Sequence, residues 1–338
     1  MKHLVFTICA ANYLNKAEVL FDSVRVHMPE AVTALVILER EDTLDIGTLG
    51  EVADIVIFAS SLEIDLFENF IFRFDVLEGS TAIKPKSFLY LLKSCPHVDI
   101  VSFLDPDMQL HGDLRPGIEA ALADGGSFLL TPHHLHDEPS HQGAYINMRR
   151  SLVYGAYNLG FTAFSRGEEA LAALRWWHDK LKNFGFNNPS SGFFLDQKWM
   201  DLAVGLFSGS RILRHSGFNV ANWNVARRKL SRQGDSIICG DGTPLLLLHF
   251  SSVDDGKDLW HLEQAGELAE LFLELREAYV RQIQASRWAN DAWREWSYAR
   301  YESGQPISKL SRQAFRDKAS RRNDPDPFAR SNSWFVSA

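Results

Sequence analysis

Continuous apolar runs recur along most of the chain and alternate with segments of helical spacing. The runs are Leu4–Ala10, Ala34–Leu38, Ile55–Phe58, Ile100–Leu104, Phe128–Thr131, Gly160–Phe164 and Leu245–Phe250. Helical spacing is clear over Lys16–Met28 and Leu171–Leu181, and another helix follows Pro85. Strands that are apolar throughout and separated by helices are typical of a parallel sheet that is buried on both faces. The pattern therefore predicts an α/β fold, a mostly parallel sheet with helices on both faces.

The chain changes character after Trp260. Apolar residues then recur at intervals of three and four, as in a helical region that continues towards Tyr301, and they include Leu268, Leu271, Phe272, Leu275 and Tyr279. We therefore predict three parts: an α/β domain over 1–260, a helical appendage over 261–322 and a flexible tail over 323–338. The tail is assigned because it contains few apolar residues.

The composition is that of a globular protein with a substantial core, since 46% of the 338 residues are hydrophobic and 23% are charged. A net charge of −8 argues against a nucleic-acid partner, which requires a basic face. The three cysteines are far apart and form no C-x-x-C pair, so a reducing compartment is expected. Because the apolar start is broken by Asn12 and Asn15, it is interpreted as a strand and not as a signal peptide. We expect a soluble, cytoplasmic protein.

The C-terminal region is locally basic. Lys309–Arg330 contains seven lysines and arginines and three aspartates. Such a run is usually a solvated tail, and the alternative is peripheral contact with an anionic membrane surface or a partner protein. Because the segment after Gly304 contains few apolar residues, its removal is expected to leave the α/β domain folded.

Two carboxylates follow the fourth apolar run, in Asp105-Pro106-Asp107. Open α/β sheets bind ligands at the carboxyl ends of their strands, and Pro106 restricts the backbone between the two acids. Two hard oxygen donors suit Mn²⁺ or Mg²⁺ carrying a diphosphate. The alternative is an ordinary strand-ending turn, in which Asp and Pro are common.

A strand-ending D-x-D resembles the signature of GT-A glycosyltransferases, and later segments resemble glycosyltransferase family eight in the same order. Ala156–Phe161 is similar to that family's F-N-x-G-V, Leu195–Asp201 to its D-Q-D-x-L-N, and Leu248–Ser251 with Lys257 and Trp260 to its H-x-x-G-x-x-K-P-W. The sequence departs from the family at Lys198, which replaces the second Asp, and it lacks the expected Gly after His249.

The chain to about residue 260 also resembles a bacterial group of GT-A transferases. The shared segments are Asn12-Tyr13-Leu14, Thr81-Ala82-Ile83-Lys84-Pro85, the D-P-D, Y-N-L-G-F and D-Q-K-W motifs, and Gly217–Asn224. The resemblance implies a GT-A fold and transfer of a hexose-type sugar from a nucleotide diphosphate, most simply UDP. It implies a surface-glycan or lipid-linked acceptor.

The resemblance also implies roles for the strongest candidates. Asp105, Asp107 and His249 would be metal ligands, although a histidine at a strand end is often only hydrogen-bonded. Gln197 would stabilise the reacting carbon if the reaction retains the anomeric configuration. Asp196 would then orient the sugar, or act as a base if the reaction inverts.

Donor-binding roles follow in the same way. Asn12 and Tyr13, after the first strand, would contact the base and ribose, and Glu39 would accept a ribose hydroxyl. Lys84 and Lys257 would contact the diphosphate. Each of these residues has an ordinary alternative, namely a packed tyrosine, a turn acid or a surface lysine.

Further polar positions lie near these motifs. Asn158 and Gly160 would lie beside the donor sugar, and Trp223 with Asn224 would form an acceptor platform or be part of the core. Thr131–His136 contains three histidines, but their spacing is not that of a zinc site, and we interpret it as an acceptor-side loop.

Two other functions remain possible from the sequence. A nucleotidyltransferase with the same fold usually has a Gly-rich loop after the first strand, whereas this chain has Ala10–Leu14 there. A non-catalytic sugar-binding or partner-binding module would use the Trp-rich C-terminal helices.

Overall fold

The computed structural model of the chain describes residues 1–138, 140–317 and 326–329. The strands are β1 (His3–Cys9), β2 (Val32–Ile37), β3 (Ile55–Phe58), β4 (Ile100–Leu104), β5 (Met108–Leu110), β6 (Phe128–Pro132), β7 (Tyr157–Ser165), β8 (Asn187–Asn188), β9 (Phe193–Phe194), β10 (Ser210–Ile212), β11 (Val220–Ala221), β12 (Ser231–Gln233), β13 (Ser236–Ile238) and β14 (Leu247–His249). The helices are α1 (Leu14–His27), α2 (Ile46–Leu49), α3 (Phe67–Phe72), α4 (Val76–Ala82), α5 (Lys84–Ser94), α6 (Arg115–Leu122), α7 (His141–Gly143), α8 (Arg149–Tyr154), α9 (Glu168–Phe184), α10 (Gln197–Leu206), α11 (Val225–Arg228), α12 (Lys257–Ala265), α13 (Glu270–Ala285) and α14 (Lys309–Asp317).

A seven-stranded sheet in the order β10-β6-β7-β4-β1-β2-β3 forms the centre of the fold. Strand β7 is antiparallel to both of its neighbours, β4 and β6, and the other pairings are parallel. The predicted mostly parallel α/β sheet is therefore confirmed. A second sheet of three short strands, β11-β14-β5, lies beside it and contains His249.

Hydrophobic cores cover both faces of the central sheet. On one face α5 and α9 contribute buried residues such as Phe88, Leu174 and Trp177. On the other face α1 and α6 contribute Phe21 and Ile118. This arrangement explains why the strands are apolar throughout, since their side chains are buried on both sides. Among the described residues, no helix has the length and apolar character needed to cross a membrane.

The C-terminal region is less helical than its spacing predicts. Helix α13 packs over α1 and the three-stranded sheet, but it ends at Ala285, and 286–308 is mostly irregular with a 3₁₀ turn at Ala289–Trp293. The predicted helix towards Tyr301 is therefore wrong beyond Ala285. The division of the chain after residues 260 and 322 stays a prediction.

The segment after Gly304 packs into the core of the α/β domain. Phe315 and Phe328 both contact the ring of Phe72, with ring centroids 4.7 and 5.0 Å apart. Arg312 is buried and donates hydrogen bonds to the carbonyl oxygens of Phe72 and Tyr298. The premise that this segment contributes no core residues is therefore wrong, and we expect its removal to destabilise the α/β domain.

The predicted basic segment and flexible tail are described only in part. Arg312 and Arg316 are directed into the protein, Arg316 lying 3.7 Å from the centroid of the Phe186 ring. Within the predicted tail 323–338, only 326–329 lies in the described part of the chain, and Phe328 there is 1% exposed. The remainder of that tail lies outside the described residues.

Candidate active site

Three potential metal ligands meet where β4 ends. A turn after β4 is closed by the amide of Met108 donating to the carbonyl oxygen of Asp105, and it leads directly into β5. In the β5–β14 pair Met108 lies opposite His249, so the imidazole faces the two acids. Its Nε2 lies 3.2 Å from Asp107 Oδ1 and 3.7 Å from Asp105 Oδ2. One ligand atom from each of the three residues lies within 4.8 Å of the others.

This arrangement fits a hard divalent ion. An octahedral ion with metal–ligand bonds of about 2.1 Å places adjacent ligand atoms about 3 Å apart and opposite ones about 4.2 Å apart. The separations around His249 Nε2 are 3.2 and 3.7 Å, within that range. Two carboxylates and one imidazole are acceptable ligands of Mn²⁺. The three residues predicted as ligands therefore have suitable geometry.

The other nitrogen of His249 is held by a residue that the sequence analysis missed. Nδ1 of His249 lies 3.1 Å from Oδ1 of Asn219. The Nδ2 group of Asn219 donates to Thr131 Oγ1 at 3.0 Å and to Asn158 Oδ1 at 2.9 Å, which leaves Oδ1 as the acceptor. The hydrogen bond therefore places the proton of a neutral imidazole on Nδ1 and leaves Nε2 to face the carboxylates.

Gly160 provides space for this imidazole. A Cβ atom at residue 160 would lie 2.6 Å from Cε1 of His249 and 2.8 Å from both Asn158 Oδ1 and the methyl carbon of Met108. The carbonyl oxygen of Gly160 also accepts the amide of Asp105 at 2.7 Å. The predicted site residues Asn158 and Gly160 thus lie beside the metal-ligand group, where they position His249 and Asp105.

Burial and mutual charge shift the pKa values of the three groups. Burial raises the pKa of Asp105 to about 6, against the opposing effects of Lys84 and His249. Burial acts to raise the pKa of Asp107, but His249, Lys16 and a backbone hydrogen bond together outweigh it, and the net shift is downward. For His249, burial lowers the pKa, but the carboxylates of Asp107 and Asp105 together raise it above its usual value. The raised pKa of His249 reflects the negative charge of the two carboxylates, which stabilises the protonated imidazole.

Lys84 and Asp196 form a buried ion pair next to this group. The ammonium of Lys84, at the start of α5, lies 2.5 Å from Asp196 Oδ2 and donates to the carbonyl oxygen of Leu159 at 3.0 Å. Its position 4.0 Å from the centroid of the Phe103 ring places it beneath β4. Two donors of Lys84 are used inside the protein, so it positions Asp196 and does not extend into solvent as a phosphate-binding lysine would.

Gln197 begins α10 with its side chain almost fully buried. Its Nε2 donates to the carbonyl oxygen of Tyr154 at 2.8 Å. No hydrogen bond to Oε1 is formed by the residues that the structure describes, so the amide oxygen is the free end of this side chain. Asp196 is anchored next to it, because its carbonyl oxygen accepts the indole N–H of Trp177 at 3.1 Å.

Asn12 and Tyr13 lie in the 3₁₀ turn directly after β1. The ammonium of Lys16 lies 3.4 Å from the centroid of the Tyr13 ring and pairs with Asp254. Burial raises the pKa of Tyr13, and the charges of Asp107 and Asp254 act in the same direction. Lys16 and Asp254 were not predicted, because in the sequence they look like ordinary residues of a helix and a loop.

Glu39 and Lys257, which were also predicted to contact the donor, make other contacts in the structure. Glu39 is 2% exposed, and its two oxygens accept the backbone amides of Ala11 and Ser297 at 2.9 and 2.7 Å. It therefore links the turn after β1 to the C-terminal segment and is not open to a ribose. The side chain of Lys257 is 78% exposed and pairs with Asp255, so its contact with a diphosphate stays a prediction.

The histidine-rich loop and the predicted acceptor platform surround the ligand group. Burial lowers the pKa of His133 to about 3, so this imidazole is neutral. The ring of Trp223 contacts His249 edge to face with centroids 5.3 Å apart. Asn224 is buried and donates to the carbonyl oxygens of His133 and Asn219, which makes it structural. Among the described residues, His133 belongs to no group of three potential metal ligands.

No protein-family model matches the chain. Two curated proteins of Bacillus subtilis (strain 168) are similar to it, the uncharacterized proteins YfnF and YfnD. YfnF is 28% identical over 182 residues, which are 52% of this chain and 57% of YfnF. YfnD is 24% identical over 175 residues, 50% of this chain and 51% of YfnD. The chain thus spans about half the length of the curated relatives that it matches.

Several solved structures to which the chain is similar are glycosyltransferases. The galactosyltransferase LgtC, in complex with donor and acceptor sugar analogs, is 18% identical and aligns over 86% of this chain and 99% of its own, with a TM-score of 0.48. The bifunctional glycosyltransferase WbbM, in its apo form, is 13% identical over 86% of this chain and 51% of its own, with a TM-score of 0.49. At these identities and TM-scores the function has to be argued from the residues of this chain.

Proposed function

We propose that the chain is a glycosyltransferase that moves a sugar from a nucleotide diphosphate, UDP in the simplest case, to a hydroxyl group of a glycan or lipid-linked acceptor. The observation that carries the proposal is the convergence of Asp105, Asp107 and His249 at the carboxyl end of β4. Ligands bind at this edge of open α/β sheets. When bound there, Mn²⁺ or Mg²⁺ would offset the charge of the donor diphosphate and of the leaving nucleotide.

The residues around the three proposed metal ligands have separate roles. Asn219 and Gly160 hold His249 with Nε2 towards the ion, and Lys84 holds the side chain of Asp196 in place. Asp196 then accepts a hydrogen bond from a hydroxyl group of the donor sugar. Oε1 of Gln197 lies beneath the anomeric carbon and stabilises its developing positive charge, as expected for transfer with retention.

The nucleotide lies against the turn after β1 in this proposal. The side chain of Tyr13 provides a ring on which a base can stack, and Lys16 beneath it adds a positive charge close to Asp107. Asn12, in the same turn, contacts the base or the ribose. Lys257, at the start of α12, reaches the diphosphate once its exposed side chain leaves Asp255.

Metal-dependent nucleotide binding tests the proposal. UDP is titrated into the full chain by calorimetry with Mn²⁺ and with EDTA, using wild type, Asp105→Asn, Asp107→Asn and the exposed control Asp235→Asn. Wild type and the control are expected to bind UDP only with Mn²⁺. The two site variants should lose about tenfold or more in affinity, since each lacks a metal ligand.

A variant at Asp105 or Asp107 that keeps full Mn²⁺-dependent UDP binding would contradict the metal site. Incubation of wild type with a panel of nucleotide sugars and Mn²⁺, followed by detection of slow donor hydrolysis, identifies the donor. Hydrolysis of none of the donors, together with no UDP binding, would reject the proposed reaction class.

A further inference from the structure

A cavity of about 320 Å³ lies beside the candidate active site. The ends of β6 and β10, the beginning of β7 and helix α8 surround it. Its apolar lining includes Leu135, Met148 and Ile212, and its polar lining includes Ser151, Tyr157 and Arg214. This volume lies at the lower end of the range for small-ligand pockets, enough for a sugar ring with one substituent.

The cavity lies at the end of the β6–β7 ladder, next in the chain to two residues that are bonded to Asn219. Along the β6–β7 ladder, Pro132 and Tyr157 form the pair next to Thr131 and Asn158, one strand position of about 3.3 Å away. Pro132 and Tyr157 line the cavity, whereas Thr131 and Asn158 are bonded to Asn219. Successive side chains of a strand point to opposite faces, so Tyr157 faces away from Asn158 and the two pairs share only this end of the ladder.

Gln197 is connected to the wall of this cavity through the backbone of 154–157. The carbonyl oxygen of Tyr154 accepts the amide of Gln197, and the backbone N–H of Ala156 donates to Asp201 at 2.9 Å. Ala156 lines the cavity as well. The stretch 154–157 thus joins the cavity to Gln197, the residue placed beneath the reacting carbon.

The described residues that line the cavity carry positive charge and no negative charge. Among the described residues that line the cavity, Arg214 has the only side chain with a permanent charge, and none of these residues carries a carboxylate. Within the described part of the chain Arg214 has no ion pair or hydrogen bond, whereas Arg211 on the same segment donates to the carbonyl oxygens of Ser208 and Asp124. Two acids on neighbouring segments are paired elsewhere, Asp201 with Lys198 and Glu138 with Arg227. A guanidinium without a partner, beside an apolar wall, suits an anionic oxygen group on an otherwise uncharged ligand.

We propose that this cavity binds the acceptor, and that the acceptor is a saccharide with an anionic group, a carboxylate or a phosphate, recognised by Arg214. The acceptor role rests on the proposed glycosyltransferase function. The sugar ring lies against Tyr157 and Ser151, and an apolar aglycone or neighbouring residue lies against Leu135, Met148 and Ile212. The acceptor hydroxyl then points along the β6–β7 ladder towards the donor.

Three phenyl glycosides that differ only at C6 test this inference. They are phenyl β-D-glucoside, phenyl β-D-glucuronide and phenyl β-D-glucoside 6-phosphate, titrated into the full chain by ligand-observed NMR. Wild type should bind at least one anionic glycoside about fivefold more tightly than the neutral one, as expected for a solvent-accessible arginine–anion pair. The preference should fall to within about twofold in Arg214→Gln and persist in Arg281→Gln, a control at an exposed arginine of α13.

The two anionic glycosides distinguish a sugar carboxylate from a phosphate as the recognised group. Equal binding of all three glycosides by wild type, or a preference that survives in Arg214→Gln, would overturn the inference. A UDP titration with Mn²⁺ on the same samples separates it from the proposed function. Intact UDP binding without a preference defeats the acceptor inference alone. A preference without UDP binding defeats the glycosyltransferase proposal and retains a site for anionic saccharides.

Discussion

His249 has two ring nitrogens, and its hydrogen bond to Asn219 decides which of them can bind a metal. Asn219 is 1% exposed and has a φ of 52°, in the left-handed region that Asn adopts more readily than most residues. Its side chain forms three hydrogen bonds, to Thr131, Asn158 and His249, which belong to three strands of the site. The identity of this residue thus matters to both the backbone and the imidazole.

We predict that Asn219→Gly weakens Mn²⁺-dependent UDP binding by about 10- to 100-fold, the usual cost of losing a partner of a metal-ligating histidine. Glycine accepts the positive φ, so the effect reports the lost side chain and not backbone strain. Asn219→Asp keeps an acceptor for Nδ1 of His249 and should recover part of the affinity. Calorimetric titration measures both variants, and equal losses in the two would argue against the hydrogen bond to His249 as the cause.

Gly160→Ala tests the space that His249 occupies. The added Cβ would overlap Cε1 of His249, Asn158 and Met108, so we expect the imidazole to be displaced and UDP affinity with Mn²⁺ to fall at least about tenfold. Gly205 in α10 has nothing within 4 Å of an added Cβ, and Gly205→Ala should stabilise the chain by about 0.4–1 kcal/mol. Unchanged UDP binding by Gly160→Ala would show that His249 has room to move.

Gln197→Ala addresses the mechanism. If the amide oxygen stabilises charge on the reacting carbon, turnover should fall by about 10- to 1000-fold, the range for loss of one electrostatic stabiliser. Donor affinity should change little, because Nε2 is bonded to Tyr154 and away from the diphosphate. NMR of the product should show the anomeric configuration of the donor. Inversion would reassign the catalytic role to Asp196 or another carboxylate acting as a base.

The residues that were predictable share one property, namely a position next to a strand end in the sequence. Asp105, Asp107 and His249 each follow or end an apolar run, so the expected sheet edge brings them together. The pairing of Lys84 with Asp196 and the contacts of Asn219 depend on how loops far apart in the chain pack. Local pattern contains no information about such contacts.

At the scale of elements, the long apolar runs predicted the strands closely. Ile55–Phe58 and Ile100–Leu104 have the bounds of β3 and β4, whereas β7 extends to Tyr157–Ser165 because Asn158 and Tyr157 continue the ladder with β6. The antiparallel direction of β7 was not predictable, since a strand buried on both faces looks the same in either direction. The short strands β5 and β11 are defined by pairing with β14 and not by their own residues.

His178 on helix α9 leads to a prediction about the pH dependence of stability. Burial lowers the pKa of His178 on this helix to about 4, with Lys86 and Lys182 adding to the effect. Between pH 6.5 and 4 the unfolded chain therefore binds a proton at this residue that the folded chain does not. Its contribution to stability is present above pH 6.5 and is lost as the pH falls.

Acidification from pH 7 to pH 5 should thus cost about 1–2 kcal/mol of unfolding free energy through His178. His178→Phe keeps an aromatic ring near Phe70. Because this variant lacks the imidazole, its unfolding free energy should fall by about 1–2 kcal/mol less than that of wild type between pH 7 and pH 5. Urea denaturation of both proteins at the two pH values measures the difference, and parallel losses would show that His178 titrates normally in the folded state.

At the scale of the whole molecule, the C-terminal region contributes to the hydrophobic core, although its composition does not suggest this. Trp296, Tyr298 and Phe315 join the same apolar cluster as α5 and α9. The backbone amide of Ser297 is bonded to Glu39, so this region also supports the turn after β1 that leads to Tyr13. Isolated aromatic residues in a polar segment give little periodic signal, although each buries a large area once it meets a complementary surface.

Truncation tests this contribution directly. Thermal and urea unfolding of a truncated chain are compared with those of the full chain. A chain that ends at Gly304 loses Phe315 and Phe328, each worth about 3–5 kcal/mol when removed from a core, and the hydrogen bonds of Arg312. Because domains are stable by only about 5–15 kcal/mol, this chain should be largely unfolded or aggregated. Phe328→Ala in the full chain provides the graded version, with a loss of about 3–5 kcal/mol. Cooperative unfolding of the Gly304 chain at the wild-type midpoint would instead make the segment a dispensable extension of an independently stable α/β domain.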